Sequence, residues 1–133
     1  MDVYFDDIKI ENNSTIDLSK VQSKPTIKIK IPTGYYTLIM VDPDAPSIGN
    51  PIYKHWLHWL IINSNDEVVP FEPSSPPPNS GPHRYFIYLF EQSHILEKSI
   101  IHSRKNFPLK KFISDHKLKL VGSIMYKTSN TNQ

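Results

Sequence analysis

The sequence predicts a mostly β protein, a two-sheet sandwich, on three observations: hydrophobicity runs or alternates over strand lengths, helical periodicity is confined to short segments, and the prolines fall between the strand-like runs. Residues 26–31 (TIKIKI) alternate apolar and polar, the mark of a strand with one buried face, and Pro25 and Pro32 bracket them. Residues 35–41 (YYTLIMV), 57–63 (LHWLIIN) and 85–91 (YFIYLFE) are β-branched or aromatic runs of strand length. Their near-continuous apolarity predicts central strands covered on both faces. Residues 122–127 (GSIMYK) form a weaker strand signal. For helix the best segment is 108–116 (PLKKFISDH), where proline suits a first turn and Leu109, Phe112 and Ile113 have helical spacing. Residues 92–99 (QSHILEKS) are expected to add a turn or two. With no internal repeat, residues 1–133 are read as one domain.

Composition removes several function classes. The chain has no cysteine, which excludes a disulfide scaffold, a thiolate zinc site, an iron–sulfur cluster and a cysteine nucleophile. Lysine and arginine number 15 against 13 acidic residues, a net charge of +2, and basic residues form no run longer than a pair, so no polyanion-binding stripe and no nucleic-acid partner is expected. The start, MDVYFDDIKIENN, is acidic where a signal peptide would be basic and then apolar, and no apolar run reaches membrane-spanning length. The expected location is the cytoplasm, where the N-x-[ST] matches at Asn12 and Asn13 carry no weight. Abundant Ile, Asn and Lys beside only two arginines, Arg84 and Arg104, suit an AT-rich genome such as that of a large DNA virus or a parasite.

Of the twelve prolines, nine (Pro43, Pro46, Pro51, Pro70, Pro73, Pro76, Pro77, Pro78 and Pro82) lie in the two connections between the three apolar runs. Proline restricts its own φ and its predecessor, so such loops lose less entropy on ordering and can hold side chains rigidly, although singly they serve equally to end strands and protect edges. Beside them sit polar groups capable of chemistry: Asp42 at the end of the first run, Trp56 and His58 at the start of the second, His83 and Tyr85 at the start of the third. Positions two apart on a strand share a face, which pairs His83 with Tyr85 and Trp56 with His58. If the three strands are neighbours, one carboxylate, two imidazoles, a phenol and an indole gather at their ends. Such a set suits an anion, with imidazole N–H groups and a tyrosine hydroxyl donating to phosphate-type oxygens and the aspartate orienting one imidazole.

The segments YYTLIMVDPDAPS, YKHWLHWLIIN and PPPNSGPHRYFIYLFEQ resemble, in order, the three signature blocks of the phosphatidylethanolamine-binding protein family, also called Raf kinase inhibitor proteins, here at residues 36–48, 53–63 and 76–92. Weaker similarity spans roughly residues 20 to 127. The resemblance implies a β-sandwich with a large central sheet, a smaller second sheet, one or two short helices, and an anion pocket that accepts the head group of phosphatidylethanolamine or a phosphorylated ligand. By motif position the pocket is implied to hold Asp42, Trp56, His58, His83 and Tyr85, with Ala45 and Pro46 in its wall, Tyr53 near the rim and Pro77 beside the anion. Asp44 is expected to organise its own turn through bonds to backbone. The family's cis peptide bonds are expected at Ala45–Pro46 and Lys54–His55.

Three departures qualify the resemblance. Ile48 stands where the family usually has arginine after DPDAPS. The segment Ser75-Pro76-Pro77-Pro78-Asn79 lacks both glycines of the family's G-x-P-P-x-G loop. The last strand runs into SNTNQ where many members add a C-terminal helix at the pocket mouth, so a short form with a more open pocket is expected.

The function expected is non-enzymatic binding, with no cofactor, no metal and no catalytic residue. The partners expected are a phospholipid head group, or a phosphorylated small molecule or peptide, together with protein kinases or other signalling proteins and peripheral membrane contact. Two other classes compete. One is a hydrolase or metal enzyme using Asp42, His58 and His83, against which no nucleophile elbow or HExxH occurs and no second carboxylate is expected near the motifs. The other is a polyproline ligand, since Pro70-x-x-Pro73 and Pro73-x-x-Pro76 match PxxP beside acidic rather than basic residues.

Overall fold

In a computed structural model, which describes residues 1–30, 34–98 and 101–131, the apolar runs become inner strands of one large sheet. In chain order the strands are β1 (Asp2–Phe5), β2 (Ile8–Lys9), β3 (Ser14–Thr15), β4 (Thr26–Lys28), β5 (Tyr35–Asp42), β6 (Trp56–Ile62), β7 (Asp66–Val69), β8 (His83–Gln92) and β9 (Lys119–Thr128). A 3-10 turn covers Leu18–Lys20 and one helix, α1, covers Leu109–Asp115. The large sheet has the order β3-β9-β8-β5-β6-β7 and the small one β2-β1-β4. All pairs are antiparallel except β3 with β9.

The large sheet is covered on both faces, as the continuous apolarity predicts. On one face Leu38, Met40, Trp59, Tyr85, Ile87 and Tyr126 pack against Val3, Phe5, Ile10 and Val21 of the N-terminal region. On the other, Ile39, Val41, Leu57, Leu60 and Phe90 meet Phe107, Leu109, Phe112 and Leu118. Each side chain so buried contributes about 1.5–3 kcal/mol. This double layer explains how β1 forms from mixed sequence: its alternating Val3 and Phe5 are both wholly buried.

Several elements differ from expectation. Residues 92–98 are not helical: Gln92 ends β8, and Asn63 holds the irregular segment beyond it, accepting the N–H of Leu96 at 2.8 Å and donating to its carbonyl at 2.8 Å. The rest of the expected turn, Ser99, lies outside the described residues, as do Ile31 and Pro32 at the end of the expected 26–31 strand. Helix α1 starts at Leu109 with Pro108 as N-cap, in a non-helical ψ of 73°, one position earlier than a first-turn proline. The weak 122–127 signal belongs to a longer strand, because β9 pairs with β8 from Lys119 to Thr128. Among the described residues no helix is long and apolar enough to cross a membrane.

Candidate functional site

Antiparallel pairing sets the C-terminal end of β5 between the starts of β6 and β8. Asp42, Trp56, His58, His83 and Tyr85 therefore meet at one end of these inner strands, where they line a cavity of about 200 Å³. The two proline-rich connections complete it: Ala45, Pro46 and Tyr53 come from the β5–β6 connection, and Pro77 from the β7–β8 connection. The structure thus brings together every residue expected at the site. It adds two that the sequence reading missed, Glu72 and Ser75. The Ala45–Pro46 and Lys54–His55 peptide bonds are both cis.

His83 is wholly tied down. Its Nδ1–H donates to Asp42 Oδ2 at 2.7 Å, and its Nε2 lies 2.9 Å from Ser80 Oγ. Ser80 Oγ also donates to the carbonyl of Pro77 at 2.6 Å and so ties the ring to the proline-rich connection. Both ring nitrogens of His83 are therefore engaged within the protein. The other oxygen of Asp42 accepts the Asp44 N–H at 2.7 Å. Asp42 therefore organises the DPDAP turn, the role expected of Asp44. Asp44 instead accepts three bonds from Arg84, from its backbone N–H at 2.8 Å, Nε at 3.0 Å and Nη2 at 2.8 Å, and so clamps the turn to β8. Burial opposes ionisation of Asp44, but the Arg84 bonds prevail and hold its carboxyl below the usual range.

His58 is held by a different device. Between Met40↔Trp59 and Val41↔Leu57 the β5–β6 register slips, so His58 is the extra residue of a β-bulge. Its ring sits edge-on to Tyr85, with centroids 5.2 Å apart. Its Nδ1 donates to the Glu72 carbonyl at 2.7 Å, while the Glu72 N–H returns a bond to the His58 carbonyl at 2.9 Å. The Glu72 carboxylate accepts from Trp56 Nε1 at 2.9 Å through one oxygen and meets Arg104 Nε at 3.1 Å through the other. Arg104 also donates to the carbonyls of Leu57, His58 and Pro70. Glu72 is the second carboxylate that the sequence reading did not expect. Its signal was an acidic residue inside the proline run, and its cationic partner lies far along the chain. Burial pushes the His58 imidazole below its usual range, although the bond to Glu72 and the charges of Asp42 and Glu72 pull the other way.

The expected pattern of free imidazole N–H donors is thus not what the structure has. Both His83 ring nitrogens and the His58 Nδ1–H are engaged within the protein. Tyr85 lies between His83, stacked at 6.3 Å, and Tyr126, stacked at 5.3 Å. Burial pushes both phenols up, with the charge of Asp42 adding to the effect, so each keeps its proton. Tyr126 shares that proton network with Ser74 Oγ at 2.6 Å.

The loop without the family's glycines keeps its turn by another route. Asn79 takes a φ of 65°, and the Ser80 N–H bonds to the Pro77 carbonyl at 3.2 Å. Proline second and a left-handed residue third is a type II turn, in which asparagine is the best substitute for glycine. The PxxP stretch is stitched to the body: Gln22 Nε2 donates to the Ser74 carbonyl at 2.9 Å, and Pro76 is buried. It does not stand out as a free polyproline ligand. Among the described residues no group of three or more His, Asp or Glu side chains is placed to hold a metal ion. At the other end of the DPDAPS block, Ile48 and Ile52 are 53% and 58% exposed.

The sequence model of the phosphatidylethanolamine-binding proteins matches residues 6–65. A phosphatidylethanolamine-binding protein homologue of Acanthamoeba polyphaga mimivirus is 43% identical over 128 residues, covering 90% of this chain and 90% of the relative. Protein FLOWERING LOCUS T of Arabidopsis thaliana is 33% identical over 132 residues, covering 89% of this chain and 73% of its own length. Among solved structures, a carboxypeptidase Y inhibitor crystallised with its cognate proteinase superposes with a TM-score of 0.84 at 22% identity, over 98% of this chain and 82% of that one. With nearly the whole length of a close relative matched and the sandwich shared, this chain belongs to the phosphatidylethanolamine-binding protein family.

Proposed function

We propose that this chain is a non-enzymatic binding protein whose cavity takes a small phosphate-bearing group, the head group of phosphatidylethanolamine or a phosphorylated ligand, and that occupancy modulates its association with protein partners in the cytoplasm, protein kinases or other signalling proteins among them. The observation that carries this reading is the His83–Asp42 pair in the wall of a cavity of about 200 Å³. The buried imidazole is fixed in place by Asp42 and Ser80, which preorganises this wall of the cavity for a polar ligand. Tyr85 adds a hydroxyl that stays protonated. Small apolar surfaces from Ala45, Pro46 and Pro77 limit the site to a head group rather than an acyl chain.

Against catalysis, neither carboxylate of the cavity is free to act as a general base, since Asp42 is engaged by His83 and the Asp44 N–H and Glu72 by Trp56 and Arg104. That a structural neighbour was crystallised as an inhibitor with its proteinase supports a protein partner as the reading for this chain too. Calorimetric titration with O-phosphoethanolamine tests the pocket. Saturable one-to-one binding is expected, weakened at least tenfold in His83→Ala or, should that variant not fold, in His83→Gln. Equal affinity in a folded variant would contradict the assignment.

A further inference from the structure

The polar atoms of the cavity are unequal. Most are committed: Asp42 and Glu72 accept from partners, and both nitrogens of His83 are bonded. Nε2 of His58 is different, for it carries no hydrogen bond among the described residues, although the residue is only 3% exposed and borders the cavity. Its other nitrogen must be the N–H, because the Glu72 carbonyl 2.7 Å away can only accept. In the neutral ring Nε2 is therefore a bare lone pair, an acceptor that faces the cavity with no partner from the protein among the described residues. A ligand that fills the cavity displaces water from this atom, and one that supplies no donor leaves the acceptor unpaired at a cost of about 1–3 kcal/mol, which a ligand carrying the donor avoids.

We propose that the cavity selects a phosphomonoester in its singly protonated, monoanionic form, whose P–OH donates to His58 Nε2 while its anionic oxygens lie toward the His83–Asp42 pair and the Tyr85 hydroxyl. The proposal rests on the phosphate-binding reading above and narrows it to the phosphorylated ligand, away from the phosphodiester head group of phosphatidylethanolamine. A monoester dianion sets an oxygen lone pair against that of Nε2. A phosphodiester has no P–OH to give. Charging His58 instead would meet the cost of burial, which already pushes its imidazole down. The groups facing the ring are Asp42 of β5, Glu72 of the β7–β8 connection, His83 and Tyr85 of β8, and Arg104 beyond β8. The two carboxylates favour charging it, whereas Arg104 opposes.

The test compares methyl phosphate with dimethyl phosphate by calorimetric titration of the wild-type protein across pH 5 to 8, with the ¹⁵N signals of the His58 ring followed at saturation. Methyl phosphate loses its second proton near pH ~6, so its affinity is expected to fall about tenfold per pH unit above that value. Dimethyl phosphate, which has no titrating oxygen and so reports protein titration alone, is expected to bind at least tenfold more weakly at pH 6. The ring is expected to stay neutral, with Nε2 a hydrogen-bonded acceptor. Equal affinity for the two esters, or an imidazolium signal from His58 in the saturated complex, overturns the proposal and leaves the phosphate pocket standing. Binding of neither ester overturns both.

Discussion

Replacing Arg104 with alanine tests how the cavity is held to the fold. The guanidinium donates through Nη1 to the carbonyls of Leu57 and His58, both at 3.0 Å, and through Nη2 to that of Pro70 at 2.9 Å. Its Nε faces Glu72 Oε2 at 3.1 Å, with the two side chains 22% and 34% exposed. Bonds from a charged donor contribute about 1.5–3 kcal/mol each, but not all of that is lost here. The His58 carbonyl keeps the Glu72 N–H, water reaches the Pro70 carbonyl, and the part-exposed ion pair is screened to under about 1 kcal/mol. What remains is the Leu57 carbonyl and the packing of the arginine stem, for a total near 3 kcal/mol. For a chain of this size that is a fall in Tm of roughly 10 °C. Lysine keeps the charge but not the planar fork that reaches three carbonyls, so Arg104→Lys should recover less than half of the loss. Thermal and urea unfolding followed by circular dichroism measure both variants. A fall of less than about 2 °C in the alanine variant, or full recovery with lysine, would refute the reasoning.

The clamp between β8 and the DPDAP turn should be asymmetric. The Asp44 side chain is 2% exposed and that of Arg84 41%, so Arg84→Ala strands a buried carboxylate at about 3–5 kcal/mol while Asp44→Ala frees a cation that rehydrates, at about 1–3 kcal/mol; urea midpoints in the reverse order would contradict this. Burial lowers the imidazoles of His58 and His55, so between their folded values and the ordinary 6.5 the unfolded chain binds protons that the native state refuses. Their contribution is present above pH 6.5 and lost on acidification below it, and His58→Gln should lose less stability than wild type between pH 7 and 5; parallel profiles would count against a neutral buried His58. The Thr128 hydroxyl is buried with no hydrogen-bond partner among the described residues, so Thr128→Val should hold or raise stability by up to about 1 kcal/mol, and a clear fall in Tm would reveal a partner.

Asp42, His83 and Tyr85 were legible because strand periodicity and the signature blocks point to the same positions. What sequence periodicity could not supply was register. Counting by twos places Trp56 and His58 on one face, but the slip beside Val41 makes His58 a bulge residue whose aim depends on the partner strand. Glu72 escaped for a related reason. Its acidity reads as a flank of the PxxP run until Arg104, Trp56 and His58 close around it in three dimensions. The helical expectation for residues 92–99 failed because side chains compete with local propensity there: Gln92 and Asn63 bond to each other, and Asn63 to the Leu96 backbone. The glycine-poor loop gave the opposite lesson, since Asn79 adopts the left-handed conformation that a missing glycine seemed to forbid.

Whether the cavity between His58 and His83 receives a phosphate group is read from a crystal structure of the protein grown with O-phosphoethanolamine. Tetrahedral density is expected in the cavity bordered by Trp56, His58, His83 and Tyr85, with an oxygen within hydrogen-bonding distance of His58 Nε2. Saturable binding in solution with that cavity empty, and the ligand seated elsewhere on the chain, would contradict it.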